Sequence, residues 1–196
     1  MQRRRLARVA QSIRQDRRHP LPPLVLFSDE ERMPNPIAAM RALPAGSSIL
    51  VRARKPKHRC ELARAAKGLA TKLDIAVFIA DDPAMARRLG LALHVPEKHF
   101  YQLAHWRATT ALPVTASAHS LGAACRALVL GARAVFLSPV FPTASHPYGP
   151  HLGAVRARLM ARQIPGPVYA LGGVTGEKAS LLSGFAGLAA IGGLIP

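Results

Sequence analysis

The sequence predicts an α/β fold, a (β/α)8 barrel of parallel strands, and three observations predict it. Short apolar runs rich in β-branched residues alternate with longer Ala-, Leu- and Arg-rich segments, the pattern of repeated βα units. About eight such runs occur, the number that closes a barrel. The residues that follow the runs, which in a barrel share one rim, are rich in Arg, Asp, Ser, His and Gly. A doubly wound open sheet has the same local periodicity, and it is this third observation that favours the barrel.

Taken in order, the strand candidates are 24–27, 48–53, 75–80, 91–95, 114–117, 134–138, 168–171 and 188–191. Helices are expected between them at about 35–42, 57–72, 83–90, 98–109, 119–130, 152–163 and 175–183, several opening just after Pro, Ser or Thr. Residues 1–18 carry Leu6, Val9, Ala10 and Ile13 at the spacing of one helical face, with arginines on the others. Residues 1–20 are therefore expected to form a basic helix belonging to the same domain as a barrel at 21–196. No helix follows the last strand candidate, so the usual eighth outer helix is expected to be missing. The N-terminal helix is expected to fill that place, its apolar stripe against the first and last strands. A membrane or nucleic-acid arm and a removable targeting segment remain alternatives for it.

The chain has 196 residues, enough for one domain, and its 49% hydrophobic content excludes global disorder. No apolar run approaches the roughly 18 to 20 residues that cross a bilayer. Lys and Arg total 27 against 10 acids, a net charge of +17, so anionic partners are expected. Fifteen of the basic residues lie in 1–18 and 52–72. Nucleic acid binding is expected to be at most non-specific: counterion release gives affinity at low salt, but aromatics are only 5% and no reader motif occurs. Cys60 and Cys125 form no C-x-x-C pair, which fits a reducing, cytoplasmic location.

At the last two strands, Gly172-Gly173 and Gly192-Gly193 each place a glycine pair at a strand end, where bare backbone amides can approach a phosphate. Tight turns are the alternative. Arg52, Arg54 and Lys55 after the second strand can neutralise a diphosphate. Strand alternation puts Arg52 and Arg54 on one side, where two buried charges need an anion or an acid. A solvated start to a basic helix is the other reading. Asp82-Pro83 suits a helix cap, leaving Asp81 as a Mg²⁺ carboxylate. Ser117 and His119 put a hydroxyl and an imidazole at the rim for binding or proton transfer, unless His119 merely caps the next helix. The loop 138–153 offers Thr143, Ser145 and His146 as diphosphate donors and has the length of a lid. His94, His99 and His105 lack the spacing of a zinc site.

The segment Ser117-Ala118-His119-Ser120, the Gly131-Ala132 pair, Ser138-Pro139-Val140-Phe141-Pro142-Thr143 and Ala170-Leu171-Gly172-Gly173-Val174 resemble, in order, motifs of the thiamine phosphate synthase and thiazole tautomerase superfamily. The resemblance runs from about Leu24 to the C-terminus and implies a TIM barrel. It implies an enzyme that joins an aminopyrimidine diphosphate to a thiazole phosphate with Mg²⁺, releasing diphosphate, and a possible homodimer. It places Arg52 and Arg54 at a basic strand-two motif, Asp81 at a Mg²⁺ carboxylate, Ser117 and Thr143 at diphosphate contacts and Gly173 at the thiazole phosphate. Leu50 and Ala80 stand where the synthase pattern has Gln and Asn. The second Mg²⁺ Asp is absent, with Glu97 as its substitute. His146 replaces a Lys and Gly192 a Ser. The tautomerase branch needs only a phosphate site and a proton-transfer group, a role His119 could serve, and a non-catalytic thiazole-phosphate-binding protein is a further alternative.

Overall fold

The computed structural model describes residues 22–33, 35–143 and 148–191. Eight parallel strands form a closed barrel in sequence order: β1 (Leu24–Phe27), β2 (Ser47–Val51), β3 (Ile75–Ala80), β4 (Ala92–Val95), β5 (Val114–Ala118), β6 (Ala134–Leu137), β7 (Val168–Ala170) and β8 (Gly187–Ala190). The ring is shut by β8 pairing with β1, Leu24 opposite Leu188 and Leu26 opposite Ala190. The open-sheet alternative is thereby excluded.

Alternation along each strand divides the core into two layers. Outward residues such as Leu26, Ile49, Ile79, Leu93 and Leu137 pack beneath the helices. Inward residues, among them Val25, Phe27, Leu50, Phe78, Ala80, Phe136 and Tyr169, fill the barrel itself. At the N-terminal end the Tyr169 hydroxyl donates to Pro22 O at 2.7 Å, and Leu188 N donates to Pro23 O at 2.8 Å.

The helices are α1 (Pro36–Arg41), α2 (Pro56–Leu73), α3 (Pro83–Leu89), α4 (Tyr101–Thr109), α5 (Leu121–Val129) and α6 (Ala154–Gln163). Asn35, Asp82 and Ser120 cap α1, α3 and α5 by accepting from Ala38 N, Met85 N and Ala123 N, and Pro at the first turn of α1 and α3 presets the backbone. Of the long basic α2, only Leu62, Ala63 and Ala66 are buried, so most of its charge is solvated.

Two helix expectations are corrected. The segment 98–109 is split into a 3₁₀ turn at Glu97–His99 and α4, joined through Phe100. The helix expected at 175–183 is only a 3₁₀ turn, Ala179–Leu181. Within that turn only Ala179 is buried, so the segment presents no continuous apolar face that would hold an α-helix against the barrel. Residues 1–21, including the expected N-terminal helix and its packing, lie outside the described residues, as do Ser145, His146, Gly192 and Gly193.

Candidate active site

A cavity of about 620 Å³ opens at the C-terminal mouth of the barrel. Phe27, Leu171 and Ile191 make it apolar, and the segment Ser138–Thr143 forms one wall with Gly172 and Gly173. Arg32, Arg52, Lys178 and His119 supply its cationic and titratable edge. Lys178 Nζ lies 5.0 Å from the centre of the Phe141 ring, so the ring faces that ammonium.

Arg52 is held at the end of β2 by the end of β1. Its backbone N donates to Ser28 Oγ at 2.7 Å, Ser28 Oγ donates to Arg52 O at 2.9 Å, and its Nη2 donates to Asp29 Oδ2 at 2.8 Å. Arg54 does not line this cavity: its side chain is 85% exposed, bonds Glu31 Oε1 at 3.0 Å and borders an adjoining groove formed by residues 29–32 and 52–54. Arg52 and Arg54 flank buried Ala53 and share one side, as strand alternation predicts: each pairs with an acid of 29–31, and Arg52 alone also reaches the cavity. Lys55 is exposed at the start of α2 and lines neither cavity. Asp29 and Glu31, the acids that partner these arginines, were not foreseen. Three consecutive acids at 29–31 are the signal that could have found them, since the parallel register sets them beside 52–54.

His119 lines the cavity, and Glu97 Oε2 accepts both its ring Nδ1–H, at 2.7 Å, and its backbone N–H, at 2.8 Å. A carboxylate partner at Nδ1 fixes that nitrogen as the donor and leaves Nε2 for proton exchange. The capping role considered for His119 is corrected: the cap of α5 is Ser120. Ser117 does not join His119. Its Oγ bonds His94 Nε2 at 2.8 Å, and His94 Nδ1 bonds Thr115 Oγ1 at 2.9 Å. Burial lowers His94 to about 3, with the Arg52 charge adding to the effect, so the ring is neutral at pH 7.

Gly172 and Gly173 have φ of +92° and +61°. A Cβ on Gly172 would lie 2.8 Å from Pro139 Cα, and one on Gly173 2.8 Å from Phe141 Cβ. Phe141 N donates to Gly172 O at 3.0 Å, so glycine here lets the β6 loop lie directly on the β7 loop. Gly173→Ala is expected to cost about 2–4 kcal/mol, measured by urea unfolding. A change within about 0.5 kcal/mol would mean that the loop moves aside freely.

Asp82 caps α3 and pairs with Arg59 Nη2 at 2.9 Å. Asp81 has φ +54° and its Oδ1 bonds His99 Nδ1 at 2.6 Å. Asp81 and Glu97, the carboxylates considered for Mg²⁺, each engage an imidazole through one oxygen, and neither lines the cavity. Among the described residues, no three His, Cys, Asp or Glu side chains cluster to hold a metal. His94 and His99, weighed for zinc, make separate contacts in the barrel and at its rim. Among the described residues no helix is long and apolar enough to cross a membrane.

Fold and cavity together define a (β/α)8 barrel with a pocket at the C-terminal mouth of its strands, the place where enzymes of this architecture carry their active sites. Residues 24–194 match the thiamine monophosphate synthase (TMP-TENI) family, and the chain belongs to that family. A relative from Aquifex aeolicus (strain VF5), named "Putative thiamine-phosphate synthase 2", is 34% identical over 126 residues, 63% of this chain and 67% of that protein. The solved thiamine phosphate pyrophosphorylase from Pyrococcus furiosus superposes with a TM-score of 0.74 at 21% identity, over 87% of this chain and 85% of the other. The YdjI aldolase from Escherichia coli K12 gives 0.63 at 12% identity, over 94% and 80%. At those identities the two structures share the fold.

Proposed function

We propose that the protein condenses 4-amino-2-methyl-5-hydroxymethylpyrimidine diphosphate with thiazole phosphate to give thiamine phosphate and diphosphate. The observation that carries this reading, beside family membership, is the apolar cavity edged by Arg32, Arg52 and Lys178 and walled by Gly172 and Gly173. Its volume suits two small heteroaromatic phosphates. In the reaction, the bond between the pyrimidine methylene carbon and the diphosphate oxygen breaks with its electron pair leaving on oxygen. The thiazole nitrogen lone pair then bonds to that carbon. Arg52, Arg32 and Lys178 oppose the charge gathering on the departing diphosphate, and Phe27 and Leu171 exclude water from the carbocation.

Mg²⁺ is assigned no step by these residues and enters as the counter-ion of the diphosphate. Asp81→Asn is therefore expected to bind inorganic diphosphate with Mg²⁺ within about threefold of the wild type, whereas a tenfold loss in calorimetry would restore Asp81 as a ligand. Two unpaired cysteines support work in the reducing cytoplasm. Val155 and Leu159, exposed four residues apart on α6, support a homodimer, which sedimentation velocity tests.

A second reading is favoured by His119 and by the inward side chains of β2 and β3. Leu50 and Ala80 are buried and apolar, so they offer no hydrogen bond to an aminopyrimidine. The His119–Glu97 pair is instead built to take a proton from a thiazole carboxylate phosphate and return it elsewhere on the ring. Folded protein supplied with both substrates and Mg²⁺, with thiamine phosphate read by mass spectrometry, decides between them. Multiple turnovers support condensation. No product, with proton exchange on thiazole carboxylate phosphate supplied in a parallel reaction, transfers the assignment to tautomerisation.

A further inference from the structure

His94 takes no part in either reaction above, yet it is the most elaborately held polar side chain inside the barrel. It is 4% exposed, and its ring is fixed edge-on between Phe27 and Phe136, at centroid distances of 5.6 and 5.2 Å. One nitrogen meets Thr115, itself 2% exposed, and the other meets Ser117, the next inward residue along β5 toward the mouth. A neutral imidazole donates at one nitrogen and accepts at the other, so this chain of contacts has a direction.

The direction follows from the buried end. Thr115 Oγ1 has two acceptors in reach: His94 Nδ1 at 2.9 Å and Leu93 O at 3.5 Å. If Nδ1 carried the proton, the buried Thr115 hydroxyl would be left with the stretched contact alone, which costs free energy in a dry interior. If Thr115 donates to Nδ1, every buried donor is satisfied. The imidazole proton then sits on Nε2 and points at Ser117 Oγ.

We propose that His94 is a positioning residue that donates Nε2–H to Ser117 Oγ and so turns the Ser117 hydroxyl proton toward the barrel mouth, as a donor to anionic substrate oxygens. Ser117 thereby selects acceptors such as phosphate oxygens over donors such as an exocyclic amine. Each bond in the chain Thr115 to His94 to Ser117 polarises the next, which strengthens the last donor. The burial that keeps His94 neutral protects this direction, because an imidazolium would donate at both nitrogens and turn the Thr115 hydroxyl back on Leu93. The inference rests on the reading that an anionic substrate enters the mouth.

Two measurements on the full chain test it. In long-range ¹H–¹⁵N spectra of histidine-labelled protein, His94, assigned by its loss in His94→Gln, is expected to show a protonated Nε2 and a bare Nδ1 throughout the neutral range. An Nδ1–H tautomer or an imidazolium would overturn the proposal while leaving the condensation and tautomerisation assays untouched. Calorimetry with inorganic diphosphate supplies the second measurement. Ser117→Ala and His94→Leu are each expected to weaken binding about tenfold, and the double variant no more than either. His94→Gln, whose amide can donate in place of Nε2–H, is expected to recover most of the loss. Additive losses, no recovery by Gln, or wild-type protein that binds no diphosphate would each overturn the role of His94. The tautomer is read on the wild type, so a variant that unfolds leaves the proposal open to refutation.

Discussion

Arg52→Ala is expected to weaken inorganic diphosphate binding by about ten- to a hundredfold, the range for hydrogen bonds to a charged group. The same change at Arg54 is expected to have little effect. Both residues are arginines two positions apart, but Arg52 is anchored over the cavity by Ser28 and Asp29, whereas Arg54 is turned to solvent beside Glu31. Screening by water and salt leaves so exposed a charge little leverage on a bound ligand. Equal losses in the two variants, by calorimetry at fixed ionic strength, would show diffuse attraction by the +17 charge rather than a built site. Arg8→Ala, in the other basic segment, serves as a second control.

His119→Gln is expected to lower the rate of proton exchange on a thiazole carboxylate phosphate by about 10² to 10⁴, the usual contribution of a positioned acid or base. Binding of the same compound should change by less than about threefold, since glutamine keeps a polar group at the cavity edge. The large effect is expected because Glu97 holds the ring by Nδ1, so each turnover begins with Nε2 in the same place. Glu97→Gln is expected to give a smaller loss in the same direction. An unchanged exchange rate in His119→Gln would remove this residue from the chemistry. In that case, condensation would be left as the reading of the site.

Strands were the most legible part of the chain, because β-branched runs such as Ile75–Ala80 and Leu24–Phe27 are short, apolar and bounded by turn residues. The segment 175–183 misled because Lys178-Ala179-Ser180-Leu181-Leu182 has ordinary helical composition, although only Ala179–Leu181 turns and only Ala179 of that turn is buried. Within the site, residues just past a strand end were legible as rim candidates, and Arg52, His119, Thr143, Gly172 and Gly173 do line one cavity. What could not be read was pairing across the sequence. Glu97 reaches His119 over 22 residues and Asp29 reaches Arg52 over 23, separations set by the length of one βα unit and the register of its two strands rather than by any local spacing. His94 was hidden for another reason: an inward histidine on a short strand looks like a core residue until its two hydroxyl partners are seen.

The seam between β8 and β1 decides whether the sheet has a free edge. Gly187 sits where any Cβ would run into the Tyr169 ring and Pro23 O, and Leu188, Ala189 and Ala190 supply the register partners of Leu24, Val25 and Leu26. Without those residues in place, β1 and β7 would be bare sheet edges, able to pair with any other extended chain. Pairing of 187–190 with both neighbours therefore does more than hold the register: it leaves the sheet with no open edge for a foreign strand to join.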